Sequence, residues 1–76
     1  MKEKISSLIE QNLKCDSLTI DGSDSKYTVI VISEAFDGKS IIDRHKMIYA
    51  IVDKYIKTGE IHALTIKAST LSESKK

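Results

Sequence analysis

The chain of 76 residues is predicted to be an α+β protein with the element order α-β-β-α-β, a three-stranded mixed sheet with its helices packed on one face. Three observations predict it. Apolar residues recur at helical spacing in two stretches, Lys2 to Lys14 and Ser40 to Lys57. Between them lies a β-branched and aromatic run, Tyr27 to Ser33, preceded by a turn-rich segment. After the second helical stretch comes a glycine and then a further strand-like run. Strand, helix, strand in that order is a crossover unit, so the two flanking strands should be parallel and the crossover right-handed.

In the first stretch, Ile5, Leu8, Ile9 and Leu13 fall on one face, while Lys4, Ser7, Gln11 and Lys14 fall on the other. That is an amphipathic helix of about three turns, ended by Cys15-Asp16. Ser17 to Asp21 reads as a short strand with Leu18 and Ile20 on the same side. Asp21-Gly22-Ser23-Asp24-Ser25 is dense in turn residues and closes a hairpin. Tyr27 to Ser33 follows as the central strand, its continuous apolar character predicting at least partial cover on both faces. Glu34 to Lys39 connects, with a short helical turn near 35–39 and Phe36 plugging the end of the core. The long helix starts at Ser40, whose hydroxyl can accept from a free amide of the first turn, with the Asp43 carboxylate at the positive end of the dipole. Its apolar positions are Ile41, Ile42, Ile48, Tyr49, Ile51, Val52, Tyr55 and Ile56. Lys54 and Lys57 suit its last turn and Gly59 its C′ position. Ile61 to Ala68 is the last strand, and the polar, lysine-rich residues 69–76 are expected to be frayed. Residues 1–76 make a single domain with no internal repeat.

Composition excludes several classes. At 41% hydrophobic and 30% charged the chain is neither disordered nor fibrous. A core of this size contributes roughly 3–5 kcal/mol, so a partner can add stability. A net charge of +1 argues against strong sequence-independent binding of nucleic acid. The single cysteine, Cys15, excludes an internal disulfide and fits a reducing compartment. No stretch approaches the ~20 apolar residues of a membrane span, and the N-terminus lacks the apolar run of a signal peptide, so a cytoplasmic protein is expected.

No catalytic constellation is visible, and the expectation is a protein that is not an enzyme. The only imidazoles are His45 and His62, the three glycines are isolated, and one cysteine cannot build a paired-cysteine zinc site. His62 opens the last strand next to a loop. A neutral imidazole there could ligate a metal, or could be a half-buried side chain bonded to a carbonyl. His45 lies inside the long helix, where a packing role is the simpler reading. Lys39, Arg44, His45 and Lys46 form a basic stripe at the helix front, which could meet phosphates, face an acidic partner, or be a solvated face. Cys15 reads as a filler at a helix end, flanked closely by Lys14 alone.

Three ordered blocks, Phe36-Asp37-Gly38-Lys39-Ser40, Arg44-His45-Lys46-Met47-Ile48-Tyr49 and Ile61-His62-Ala63-Leu64, resemble the BolA-like family in sequence and spacing. The match runs through residues 18–68 and is closer to the short, acid-stress-linked bacterial branch. The resemblance implies a class II KH-like fold. It implies a partner, a monothiol glutaredoxin of the CGFS type, with which a [2Fe-2S] cluster can be shared, and a cluster-ligand role for His62. No cofactor is expected in the isolated chain, which alone should be a monomer or weak homodimer. Partner binding would fall to Gly38, Lys39, Arg44, His45 and Ala63.

Two departures from the family pattern stand out. The second ligand expected between the first two strands is missing, since residues 21–26 are Asp-Gly-Ser-Asp-Ser-Lys, with Lys26 where the short branch often has a histidine. The proline usual after the last strand is also missing, Thr70 being followed by Leu71, so the C-terminal helix should be shortened or absent. The alternative function is a KH-like transcriptional regulator binding nucleic acid through Lys39, Arg44 and Lys46. It lacks the backbone clamp, because no second glycine follows Gly38 three residues on. An interaction module without any metal is the third reading.

Overall fold

The computed structural model describes residues 1–75, running α1 (Lys2–Asn12), β1 (Ser17–Ser23), β2 (Lys26–Ile32), a 3-10 turn (Glu34–Phe36), α2 (Ile41–Lys57), β3 (Ala63–Ser69) and α3 (Leu71–Ser74). The sheet order is β1-β2-β3, with β2 antiparallel to β1 and parallel to β3. This is the predicted mixed sheet. Its parallel half follows from the crossover through α2, because a helix of 17 residues, roughly 25 Å long, carries the chain back along the sheet.

The core lies between the helices and one sheet face. Ile5, Ile9 and Leu13 from α1 and its end meet Val29 and Val31 of β2, Ile66 of β3, and Ile48 and Val52 of α2. Phe36 closes one end, fully buried, as predicted. The register places Val29 beside Ile20 and Ile66, and Val31 beside Leu18 and Ala68, so the inward row is continuous across all three strands. The opposite face is less covered than the apolar run of β2 suggested. Ile30 is 39% exposed and stands between Thr19 and Lys67 on an open surface. A chain this short supplies only one layer of helices.

Several boundaries moved for identifiable reasons. The hairpin turn is only Asp24-Ser25, both with positive φ (52° and 68°), the pattern of a two-residue turn whose twist matches the strands. β1 therefore extends to Ser23. Gly22 has φ 115° and sits so close to β2 that a Cβ would run into the Lys26 carbonyl, so the glycine is required by space as well as dihedral. Ser40 caps α2 as predicted, its Oγ accepting from the Asp43 amide (3.1 Å). Thr58 and Gly59 (φ 83°) end it. Ile41 and Ile42, read from their spacing as core positions, are 70% and 67% exposed.

The segment 69–76, expected to be frayed, is built differently, with only Lys76 outside the described residues. Ser69 belongs to β3, and its carbonyl accepts from the Ser33 amide (2.9 Å). Thr70, 4% exposed, starts a capping box: its Oγ accepts from the Glu73 amide (3.3 Å) and Glu73 Oε1 accepts from the Thr70 amide (3.0 Å). The Leu71 amide donates to Glu34 Oε2 (3.0 Å). The polar composition of the tail hid its capping chemistry.

Candidate functional site

His62 sits between Gly59, which ends α2, and Ala63, which opens β3. Its backbone is pinned to the hairpin: the His62 and Ala63 amides both donate to the Ser25 carbonyl (2.7 and 3.1 Å). Its side chain is exposed, and its ring has no hydrogen-bond partner among the described residues. The Nε2 side of the ring lies beside Gly59, where a Cβ would stand 3.4 Å from Nε2. The reading of His62 as a half-buried side chain bonded to a carbonyl does not fit this geometry. What remains is an imidazole held at the rim on a fixed backbone with a lone pair to offer.

The other residues expected to bind a partner do not gather around it. Arg44 donates to the Ala68 carbonyl and Tyr49 to the Leu64 carbonyl, so α2 runs antiparallel to β3 and its front lies at the far end of that strand. Gly38 (φ 75°) and Lys39 are exposed at that far end. His45 is half-buried one residue from Arg44, and Lys46 is exposed beside it. Ala63 alone lies next to His62, exposed on β3. The expected surface is thus two patches, one at each end of the sheet.

Arg44 is a correction. It was expected on a basic surface stripe, open to a partner or to phosphates, yet only 7% of it is exposed. Its Nε donates to the Lys39 carbonyl (2.9 Å) and Nη1 to the Ala68 carbonyl (3.1 Å). Nη1 and Nη2 together grip the Glu73 carboxylate (2.6 and 2.9 Å), and the guanidinium lies 5.9 Å over the Phe36 ring. Hydrogen bonding to Glu73 raises its pKa further, against the opposing effect of burial and with help from the Glu73 and Asp37 charges. This planar, bidentate arrangement suits arginine and not lysine. Its donors hold the C-terminal turn, which removes Arg44 from both the partner surface and the nucleic-acid surface, leaving Lys39 and Lys46 of the latter. Spacing alone placed Arg44 on the helix front; the Glu73 partner, 29 residues away, carries no local signal.

The free edge of β3 is partly closed by the same helix. Arg44 satisfies the Ala68 carbonyl, and the Tyr49 hydroxyl donates to that of Leu64 (3.3 Å). Side chains so placed blunt an edge strand against pairing with another chain. Tyr49 was read from the sequence as a helix-face apolar residue; its polar tip is the feature that reading missed.

Cys15 lies beyond the opposite end of the sheet, half-buried, its thiol donating to the Leu13 carbonyl (3.3 Å). Burial raises its pKa, with Glu10 and Asp16 adding to the effect. Among the described residues no three or more His, Cys, Asp and Glu side chains converge as a metal site, and no helix is long and apolar enough to cross a membrane.

Comparison with known proteins agrees with this architecture. Residues 5–73 match the family model described as BolA-like protein. The acid stress protein IbaG of Escherichia coli is 33% identical over 70 residues, 92% of this chain and 83% of that one. The DNA-binding transcriptional regulator BolA of the same organism is 35% identical over 52 residues, 68% of this chain and 49% of its own length. Among solved structures, the BolA domain of SufE1 from Arabidopsis thaliana superposes with a TM-score of 0.87 at 28% identity, covering 95% of this chain and 93% of that one. With its family model matched over nearly its whole length and its fold shared with a solved BolA domain, the chain belongs to the BolA-like family.

Proposed function

We propose that the chain is an adaptor that docks a monothiol glutaredoxin of the CGFS type and takes part in handling a [2Fe-2S] cluster or in iron regulation, with His62 facing the metal. It performs no catalysis of its own in this reading. The observation that carries it is the His62 ring, exposed and without a partner at the rim, on a backbone tied by two hydrogen bonds to Ser25. An iron–sulfur site accepts imidazole in place of thiolate. The likeness to the BolA domain of a protein named SufE1 supports the same direction. Ala63 and the exposed flank of α2 around Tyr49 would border the contact, and Gly38, Lys39 and His45 would serve only a partner large enough to reach the far patch. The test is to mix the protein with cluster-loaded monothiol glutaredoxin and follow visible absorption and circular dichroism. A spectral change lost in His62→Ala is expected; no change with the wild-type chain, or the same change in the variant, refutes it.

A second reading, a regulator binding DNA, is favoured by one observation, the relative named as a DNA-binding transcriptional regulator. Here it has to rely on Lys39 and Lys46, because Arg44 is engaged inside the molecule. Salt-sensitive binding to a defined duplex, weakened by Lys39→Ala with Lys46→Ala, would support it; affinity unchanged between low and moderate salt would not.

A further inference from the structure

We infer that this chain pairs with a second copy of itself through the outer edge of β1, antiparallel about a twofold axis at Ile20. The inference stands apart from the glutaredoxin reading and uses the opposite edge of the sheet from His62. A three-stranded sheet has two edges, and the fold treats them differently. The β3 edge is partly closed by Arg44 and Tyr49, whose side chains take the Ala68 and Leu64 carbonyls. On β1, the Asp24-Ser25 turn makes Ser23 and Lys26 the closing hydrogen-bonded pair, and an antiparallel ladder alternates from there. Ser17, Thr19, Asp21 and Ser23 therefore bond β2, while Leu18, Ile20 and Gly22 turn their amides and carbonyls outward. The Gly22 amide is taken by Asp21 Oδ1 (2.8 Å). Among the described residues no side chain reaches the amides of Leu18 and Ile20. An edge left open in this way is a template for another strand.

The groove beside that edge selects the second strand. Lys2, Glu3, Ser6, Ser7 and Glu10 of α1 line it together with Ile20. Lys2, Ser6 and Glu10 follow one another at i, i+4 spacing, so they form one row along the helix flank. The row carries a cation at one end, an anion at the other and a small hydroxyl between them. A twofold axis at its middle lays two such flanks antiparallel, with Lys2 of each copy beside Glu10 of the other and Ser6 beside Ser6. Neither charge has an ion-pair partner in its own chain among the described residues, and Glu10 accepts only from the Ser6 hydroxyl (3.0 Å). The same axis sets Ile20 against Ile20 and each Leu18 amide against a Gly22 carbonyl. The Gly22 amide, already bonded to Asp21, asks nothing of the second copy. Using one patch twice closes the contact as a dimer. One strand edge with one helix flank is a small interface, below about 1,200 Å², so the dimer is weak. The joined sheet has β3 on both outer edges, about 24 Å apart at ~4.8 Å per strand, so pairing leaves each His62 free.

The test follows the full 15N-labelled chain at low salt by sedimentation velocity and amide spectra, from about 20 µM to about 1 mM, the span in which so small an interface associates. A monomer–dimer equilibrium is expected, with concentration-dependent shifts centred on the amides of Leu18 and Ile20. Lys2→Glu and Glu10→Lys should each weaken it by about tenfold, because two surface ion pairs turn repulsive together. Both positions are exposed and both changes suit the helix dipole, so the fold is kept; a urea midpoint no lower than wild type checks this. Mixing the two variants should restore association to wild-type strength, since one offers carboxylates at both positions and the other ammonium groups. A chain monomeric throughout the range, shifts that spare Leu18 and Ile20, or variants that self-associate like wild type and gain nothing on mixing overturn the inference. Protection of the same two amides by glutaredoxin and not by a second copy also overturns it and assigns the edge to that protein. His62→Ala should leave the dimer unchanged, so this inference and the adaptor reading fail separately.

Discussion

Replacing Ser33 by alanine should cost about 2 kcal/mol of stability, a large effect for the loss of one oxygen atom. Ser33 is fully buried at the end of β2. Its hydroxyl donates to the Lys14 carbonyl (2.6 Å) and accepts from the Ala35 amide (3.1 Å), which joins the exit of α1 to the 3-10 turn. Alanine keeps the shape but leaves two backbone groups without their partner. A buried unsatisfied group costs ~1–3 kcal/mol, and loss of an N-cap about 1 kcal/mol. Because Lys14 and Ala35 are themselves at the surface, the lower end applies to each, which gives about 2 kcal/mol. A domain of this length holds roughly 4–11 kcal/mol in all. Urea unfolding followed by far-ultraviolet circular dichroism is the assay. With m at about 1 kcal/mol/M for a small domain, the midpoint should fall by roughly 2 M. Ser17→Ala, on the exposed face of β1, is the control and should shift it little. A Ser33→Ala midpoint within about 0.5 M of wild type would refute the reasoning, because water would then be satisfying both groups.

Gly22→Ala should destabilise by more than the ~1 kcal/mol of an ordinary glycine change, since a Cβ meets the Lys26 carbonyl; an unfolding midpoint equal to wild type contradicts it. His62→Ala should change stability by under about 0.5 kcal/mol while removing the response to a cluster-loaded partner, because the exposed ring makes no bond and its backbone contact to Ser25 survives. Arg44→Lys keeps the charge but loses the fork; faster amide hydrogen exchange at Glu73 and Ser74 is expected, and protection equal to wild type would show that the C-terminal turn docks without it. Cys15 holds its proton more tightly in the folded chain than in the unfolded one, so its contribution to stability is present at lower pH and is lost as pH rises through the thiol range. Its alkylation rate should titrate at higher pH in the native chain than in urea, and coincident profiles would contradict this.

Much of the fold was legible because it rests on local chemistry. The Ser40 cap, the Gly59 stop, the β-branched run of β2 and the crossover are all written within a few residues of where they act. His62 was singled out through the Ile61-His62-Ala63-Leu64 block, and its ring is exposed. What escaped were particular side-chain placements decided by distant segments. Ile41 and Ile42 have core-like spacing, yet both are exposed. Arg44 has the look of a surface cation until Glu73 is brought to it across 29 positions. Thr70 and Glu73 form a capping box whose three-residue spacing was present but obscured by the lysines that follow.

These oversights cluster at one end of the sheet, and that distribution bears on function. The end carrying Ser33, Phe36, Arg44, Thr70 and Glu73 is tied by buried hydroxyls, a guanidinium shared among two carbonyls and a carboxylate, and a closed helix cap. The other end is built from a two-residue turn at positive φ and a helix stop, with backbone hydrogen bonds alone holding His62 in place. Polar side chains are satisfied inwardly at the Arg44 end, and the His62 ring is left unsatisfied and exposed at the other. A site assembled between two proteins requires this asymmetry, since a donor already bonded within its own chain has to give up that bond before it can serve a metal. Mutations that loosen the far end should therefore lower stability and leave the spectral response per folded molecule intact. Removal of the His62 side chain alone should do the reverse, and a Ser33→Ala chain that folds yet loses the response would break that separation.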